Sequence, residues 1–385
     1  MFVGGFATFA LLYGTQPMLP LFSVAFDVSP AQASLTVSAA TGALALSLIP
    51  ASVLADRIGR LPVMRTALVL AALLSIAAAA VDDFAQLVVL RALLGVALAG
   101  LPAAAMAYLG EEMAPNAQGR AMGLYIAGNA LGGMSGRVLA ALLTEWGSWR
   151  TALAVLGALG VIAAILFCKR LPPSQHFQPR AAAIGRILRD GRQLLADHGM
   201  PWFFLTAFLA MGAFVGLYNY LGFRLVEPPF GLGQSAIGAI FLLYLVGTWA
   251  SAWAGLLADR HGRRNVLWIM VLVMLAGLVL TLSTKLSIIV CGVGIFTFGF
   301  FATHSLASGW VGRRARERRA LGAALYLSSY YLGSSILGSV SGMVWGAGGW
   351  PAVVTVLALC VLATLAIALR LRRLEPDEAD LPGHR

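Results

Sequence analysis

Long apolar runs, broken by short polar gaps, fill this chain from end to end. Runs of eighteen or more residues recur, and each is long enough to cross a hydrocarbon layer of about 30 Å as a helix. Twelve such spans are predicted, near 3–25, 32–55, 63–81, 85–109, 120–144, 149–168, 201–224, 234–258, 265–283, 286–311, 320–345 and 350–371. Hydrocarbon offers the backbone no hydrogen-bond partner, so these runs have to be helices.

Composition agrees with the pattern. Of 385 residues, 59% are hydrophobic and only 11% are charged, more apolar surface than a soluble chain of this size can bury. The net charge of +11 does not point to nucleic acid, because of where it lies. All Lys and Arg except Arg91, Arg137, Arg150, Arg224 and Lys285 fall around the gaps after even-numbered spans or in the C-terminal tail. By the positive-inside rule this places those gaps and both termini of a multi-pass membrane protein in the cytoplasm. Cys168, Cys291 and Cys360 lie in or beside apolar runs without metal or disulfide spacing, and read as packing residues. No cleavable signal is visible. The first run begins at once with no positive charge ahead of it, as expected if native residues precede Met1.

The chain repeats itself at half its length. Leu54-Ala55-Asp56-Arg57-Ile58-Gly59-Arg60 returns as Leu257-Ala258-Asp259-Arg260-His261-Gly262-Arg263. Tyr13 pairs with Tyr218, Arg120 with Arg319, and Trp149 with Trp350, all at nearly the same offset. An even number of spans separates equivalent points, so the copies share one orientation. The predicted fold class is an all-α membrane protein: twelve transmembrane helices in two parallel six-helix bundles. Its domains are 1–168, a cytoplasmic linker 169–200, 201–373, and a tail 374–385. In the linker, Arg180, Arg186, Arg189 and Arg192 interleave with Ile187 and Leu188, which reads in part as an amphipathic helix on anionic headgroups.

With these motifs the chain resembles a major facilitator superfamily transporter over nearly its whole length. The Asp-Arg-x-Gly-Arg loops match that superfamily's loop signature, although Ser52 stands where a glycine is usual, and Arg91-x-x-x-Gly95 is similar to a second motif tied to proton handling. Tyr13-x-x-Gln16-Pro17, Ala302 to Arg314 and Tyr330-Tyr331-Leu332-Gly333-Ser334-Ser335 resemble the YnfM-like subgroup of drug and metabolite efflux permeases. The resemblance implies a secondary transporter working by alternating access. Its partners would be a small-molecule substrate, protons and membrane lipid, and the expected state is a monomer. The alternative is a sugar or metabolite permease without export bias. The superfamily's antiporters often carry a Gly-Pro pair where Gly136-Arg137 stands here.

Candidate residues follow from their positions. Gly59 and Gly262 allow a reversal at φ > 0 between consecutive spans. Asp56 and Asp259, with Arg57, Arg60, Arg260 and Arg263 beside them, are placed to meet neighbouring helix N-termini or to pair with Arg60, Arg120, Arg263 or Arg319, latching the cytoplasmic side. Arg91 and Arg137 lie inside spans four and five. An intramembrane arginine faces a cavity or a partner unless it snorkels outward. The Gly128, Gly132, Gly133 and Gly136 face beside Arg137 is expected to pack on span two or span eight. No Asp or Glu lies mid-span, which leaves Asp27, Glu145 and His304 as proton carriers. His304 reads equally as a neutral ring bonded to a carbonyl or to Ser308. Tyr13, Gln16, Asn129, Tyr218, Asn219, Tyr220, Tyr244, Tyr330 and Tyr331 mark a cavity, either as substrate contacts or as interhelical ties. Trp146, Trp149, Trp202 and Trp350 are expected at the membrane interfaces.

No catalytic residue, metal or cofactor is expected. A membrane enzyme would need a nucleophile–base pair or clustered ligands in the bilayer. A solute sensor would need a signalling domain, and no phosphate-binding loop for ATP is present.

Overall fold

The computed structural model describes residues 1–179 and 184–374. Among them, eleven helices are long and apolar enough to cross a membrane. In the first half these are α1 (Phe2–Phe26), α2 (Pro30–Ile58), α3 (Arg60–Ala78), α4 (Phe84–Glu112), α5 (Asn116–Glu145) and α6 (Trp149–Arg170). The second half supplies α7 (Met200–Val226), α8 (Gln234–His261), α9 (Arg263–Leu280), α10 (Leu286–Arg314) and α12 (Trp345–Arg372). Between the last two runs α11 (Arg319–Val340), the expected eleventh span, whose Ser, Gly and Tyr lower its apolarity. A linker helix covers Ile184–Leu195. Of the expected tail only Leu374 is described, and Arg180 of the linker lies outside the described residues.

Helix ends follow local chemistry. Ser29 and Gln32 form a capping box at the start of α2, Asp83 caps α4 by accepting from the Gln86 N–H, and Ser148 caps α6 through Thr151. Gly59 and Gly262 join α2 to α3 and α8 to α9 with φ of +108° and +82°. An L-residue with a Cβ would be strained there. Within α1, regular helix stops at Tyr13, a 3₁₀ turn runs Gln16–Met18, and helix resumes at Leu19. Pro17 and Pro20 cannot donate, so the ladder has to break near them.

The coordinates group into two compact units, Met1–Ala182 with Leu221–Leu242, and Ala183–Tyr220 with Leu243–Arg385. Residues 221–242, assigned from sequence to the second half, thus group with the first. In the first unit α1 packs on α5, α2 on α4, and α3 on α6. In the second, α8 packs on α10 and α9 on α12, repeating two of those pairings. The third recurs in detail. The backbone of Phe6 on α1 leaves no room for a methyl at Gly132, and the backbone of Phe208 on α7 leaves none at Gly333.

Two of the expected interface tryptophans are instead packed inside. Trp149 is 7% exposed, with its ring 5.5 Å from Phe22, and Trp350 is 4% exposed and donates to the Thr281 carbonyl at 3.1 Å. Trp149 opens α6, and Trp350 follows the break in α12 at Gly348 and Gly349; each ring is covered by a neighbour and fills the interior. Trp146, 81% exposed, keeps the outward position.

Candidate functional site

Arg91 is 1% exposed and sits about a quarter of the way along α4. Its Nε donates to the Thr36 carbonyl at 2.8 Å, Nη1 to the Leu11 carbonyl at 2.9 Å, and Nη2 to the Leu12 carbonyl. Leu11 and Leu12 occupy the last turn before α1 breaks, where carbonyls lack intrahelical partners. A guanidinium at a helix C-terminus meets both those acceptors and the negative end of the dipole. The reach depends on Gly95, one turn on: a methyl there would overlap the backbone of Ala40 on α2. Arg-x-x-x-Gly is therefore one device, in which the glycine brings α4 against α2 and the arginine crosses to α1.

Arg137 is 2% exposed on α5. Its Nε donates to Gln16 Oε1 at 2.6 Å and its Nη1 to the Gly133 carbonyl at 2.6 Å. The guanidinium carbon stands 4.1 Å from the Tyr13 ring centre and 5.3 Å from that of Phe241. It lies inside the unit rather than snorkelling. The glycine face beside it meets α1, which corrects the expected contact with span two or span eight. Gly128 lies on the backbone of Phe2, Gly132 on Phe6 and Gly136 on Ala10. Span eight meets α5 one turn further on, where Gly238 lies on the Ala141 side chain. Gln16 (1% exposed) and Tyr13 (4%) are brought to Arg137 by the break in α1, and the half-buried Asn129 lies against Gly5 two turns away.

The second unit holds an aromatic cluster. Tyr218 shares a hydrogen bond with Thr297 at 2.8 Å, and its ring lies 5.2 Å from Tyr244. Phe214 stacks on Phe300 at 3.8 Å with 12° between planes. The His304 ring lies 4.7 Å from that of Tyr330, tilted by 44°, and its Nδ1 is 3.1 Å from the Tyr326 hydroxyl. Tyr331 meets Tyr330 edge-on at 5.2 Å. Neither of the expected His304 bonds is the one found: Ser308 turns to the Ser305 carbonyl, and Tyr326 takes the ring. Asn219 and Tyr220 donate to the carbonyls of Gly338 and Ser339 at 3.2 and 3.1 Å, tying α7 to α11. Sequence reasoning passed over Phe214, Phe296, Phe300 and Tyr326. Their signal was spacing: 214/218, 296/300/304 and 326/330 each put aromatics on one helix face.

The two signature turns differ. Arg60, 7% exposed, is held by Asp56 and by Glu111 at 3.0 Å, with Phe177 5.9 Å away. Arg263 reaches Asp259 at 3.8 Å. Each aspartate thus pairs with the arginine four residues on. Arg120 and Arg319, the other expected partners, stand exposed, as do Arg57 and Arg260. Glu111, next to the last residue of α4, was missed because its pairing with Arg60 crosses between helices and leaves no motif around it. Asp27 is an exposed C-cap of α1 in the left-handed region (φ 50°), and Glu145 accepts from the Ser235 N–H at 3.0 Å. Outside the spans, Asp197 binds Arg314 at 2.7 Å and accepts from the Gly199 and Met200 N–H groups. Burial alone would raise its carboxyl pKa, but Arg314 and the two N–H groups hold it below the usual carboxylate value.

The sequence profile described as Major Facilitator Superfamily matches residues 1–253 and 225–385. The inner membrane transport protein YnfM of Escherichia coli K12 is 42% identical over 97% of this chain and 89% of its own length. The uncharacterized MFS-type transporter YybF of Bacillus subtilis strain 168 is 40% identical over 97% and 92%. Among solved structures, a bacterial homologue of the human lysosomal transporter Spinster, inward-facing and occupied, aligns with a TM-score of 0.78 at 16% identity, covering 96% of this chain and 93% of that one. Paired Asp-Arg-x-Gly turns, a repeated six-helix arrangement and near full-length relatives lead to one assignment: the chain is a multi-pass membrane transporter and belongs to the Major Facilitator Superfamily.

Proposed function

We propose that this transporter moves a small neutral or anionic organic solute across the inner membrane by alternating access, outward and in exchange for protons. The observation that carries the solute's charge is Arg137. It is a buried cation held by the neutral Gln16 amide and by the faces of Tyr13 and Phe241, in a chain with no mid-span carboxylate. Such a centre attracts a carboxylate, an enolate or a carbonyl and repels an organic cation. Within the second unit, taken by itself, Tyr218 with Tyr244 and Tyr330 with Tyr331 present aromatic faces and hydroxyls of their own, suited to a planar or cyclic solute.

Proton exchange rests on His304, the histidine inside a span, with its ring between Tyr330 and Tyr326. Export rests on the resemblance to the YnfM-like permeases. Cytoplasmic termini and a monomeric state belong to the same reading. In proteoliposomes, flux of a solute found by thermal-shift screening should rise with an imposed pH gradient and fall when a protonophore collapses it. Flux indifferent to the gradient removes the antiport reading and leaves a permease without fixed direction.

A further inference from the structure

The linker helix Ile184–Leu195 sorts its residues by face. Leu194 is 5% exposed and Ile187 is partly covered, so one side rests on the protein. Asp190, its one acid, lies on that side, 3.4 Å from Arg318 and 3.7 Å from Arg186, and Gln193 also binds Arg318. On the other side Leu188 and Leu195 are 68% and 57% exposed, and Arg189 and Arg192 stand exposed beside them. At 100° per residue, Leu188, Arg192 and Leu195 form one stripe and Arg189 borders it. Arg189 and Arg192 make no ion pair among the described residues. Arg318 is the N-cap of α11, and Asp197 ties the chain just beyond the helix to Arg314, the last residue of α10. The helix is therefore pinned where two spans leave the apolar layer.

We propose that this outward face is a docking surface for anionic phospholipid, the leucines entering the acyl boundary and Arg189 and Arg192 binding headgroup phosphates. The charge sorting specifies the partner. A soluble cytosolic helix would not expose two leucines between arginines, and a zwitterionic surface would not select for turning the single acid inward. The combination of apolar insertion and basic flanks matches a negatively charged lipid interface. The surface does not depend on the nature or direction of the transported solute.

The test uses the full chain in nanodiscs, with Leu188→Cys carrying a fluorophore and Cys168, Cys291 and Cys360 replaced by serine or alanine. Discs contain phosphatidylcholine and phosphatidylglycerol in fixed proportion, with bromine on the chains of one lipid or the other. Brominated phosphatidylglycerol should quench the label up to about 25-fold more strongly than brominated phosphatidylcholine, about fivefold for each arginine. Each arginine removed should weaken that preference about fivefold. Arg189→Gln with Arg192→Gln should therefore erase it, while Arg189→Lys with Arg192→Lys retains it. Millimolar inorganic phosphate should leave it unchanged. Equal quenching by the two lipids, a preference surviving in the double glutamine variant, or its loss to free phosphate would each overturn the proposal.

Discussion

The Nε of Arg137 donates to the side-chain oxygen of Gln16 across α5 and α1 at 2.6 Å, with the Tyr13 ring 4.1 Å from the same guanidinium. Both α1 residues are presented by the helix break at Tyr13, so the arginine's position depends on an irregular backbone rather than a regular face. Gln16→Leu keeps the volume and removes the acceptor. A hydrogen bond to a buried charge contributes about 1.5–3 kcal/mol, so solute affinity should fall roughly tenfold or more. Binding measured by thermal shift, with protein yield as the control, checks this.

Arg91, on α4, closes the last turn before the break in α1. Arg91→Met leaves the Leu11 and Leu12 carbonyls without their donor, at about 1–3 kcal/mol for each buried acceptor. Thermal stability in detergent should drop by several degrees, together with transport. Arg91→Lys should restore part of the loss, since a single ammonium cannot span three carbonyls on two helices. An unchanged melting temperature in Arg91→Met, with transport lost, would move Arg91 from scaffold to chemistry.

How much of this the sequence showed depends on the distance over which a residue acts. The spans, the duplication and the signature turns are local or periodic, so apolar run length and repetition exposed them. Arg91 and Arg137 stood out because a charge inside a span has no cheap location. Their partners did not. Leu11 and Leu12 act through carbonyls, which every residue carries, and only the break near Pro17 makes them available. Glu111 and Tyr326 come from other helices, and pairing between helices has no signature in a single chain. The glycine face of α5 was legible as a surface, but its partner was a matter of packing order, which periodicity does not encode.

Asp197 links acidity to stability. Its folded pKa lies below the ordinary value of about 3.9, so its contribution is complete above that value and is lost as pH falls through the folded one. Asp197→Asn should lower the melting temperature at neutral pH. The gap to wild type should stay constant down to about pH 5 and close in more acid solution. Unfolding curves across that range check the sign; a gap that widens in acid would contradict it.

In the first signature turn Asp56 and Glu111 hold Arg60, and in the second Asp259 stands 3.8 Å from Arg263. If these turns latch the cytoplasmic side, Asp56→Asn should cut transport about tenfold or more, because it weakens a buried guanidinium's pairing. Asp259→Asn, at a more exposed pair, should cost only a few-fold. Initial flux normalised to membrane-inserted protein distinguishes the two.

Solute charge preference, read in wild type and in Arg137→Gln, tests the account most directly. Proteoliposomes would be loaded in parallel with an organic anion, a neutral sugar and a cationic dye, and initial efflux compared. The account predicts faster efflux of the anion or the neutral solute than of the dye, and at least a tenfold loss of the anion's advantage when Arg137 is replaced. Rapid efflux of the cationic dye that Arg137→Gln leaves unchanged would contradict it.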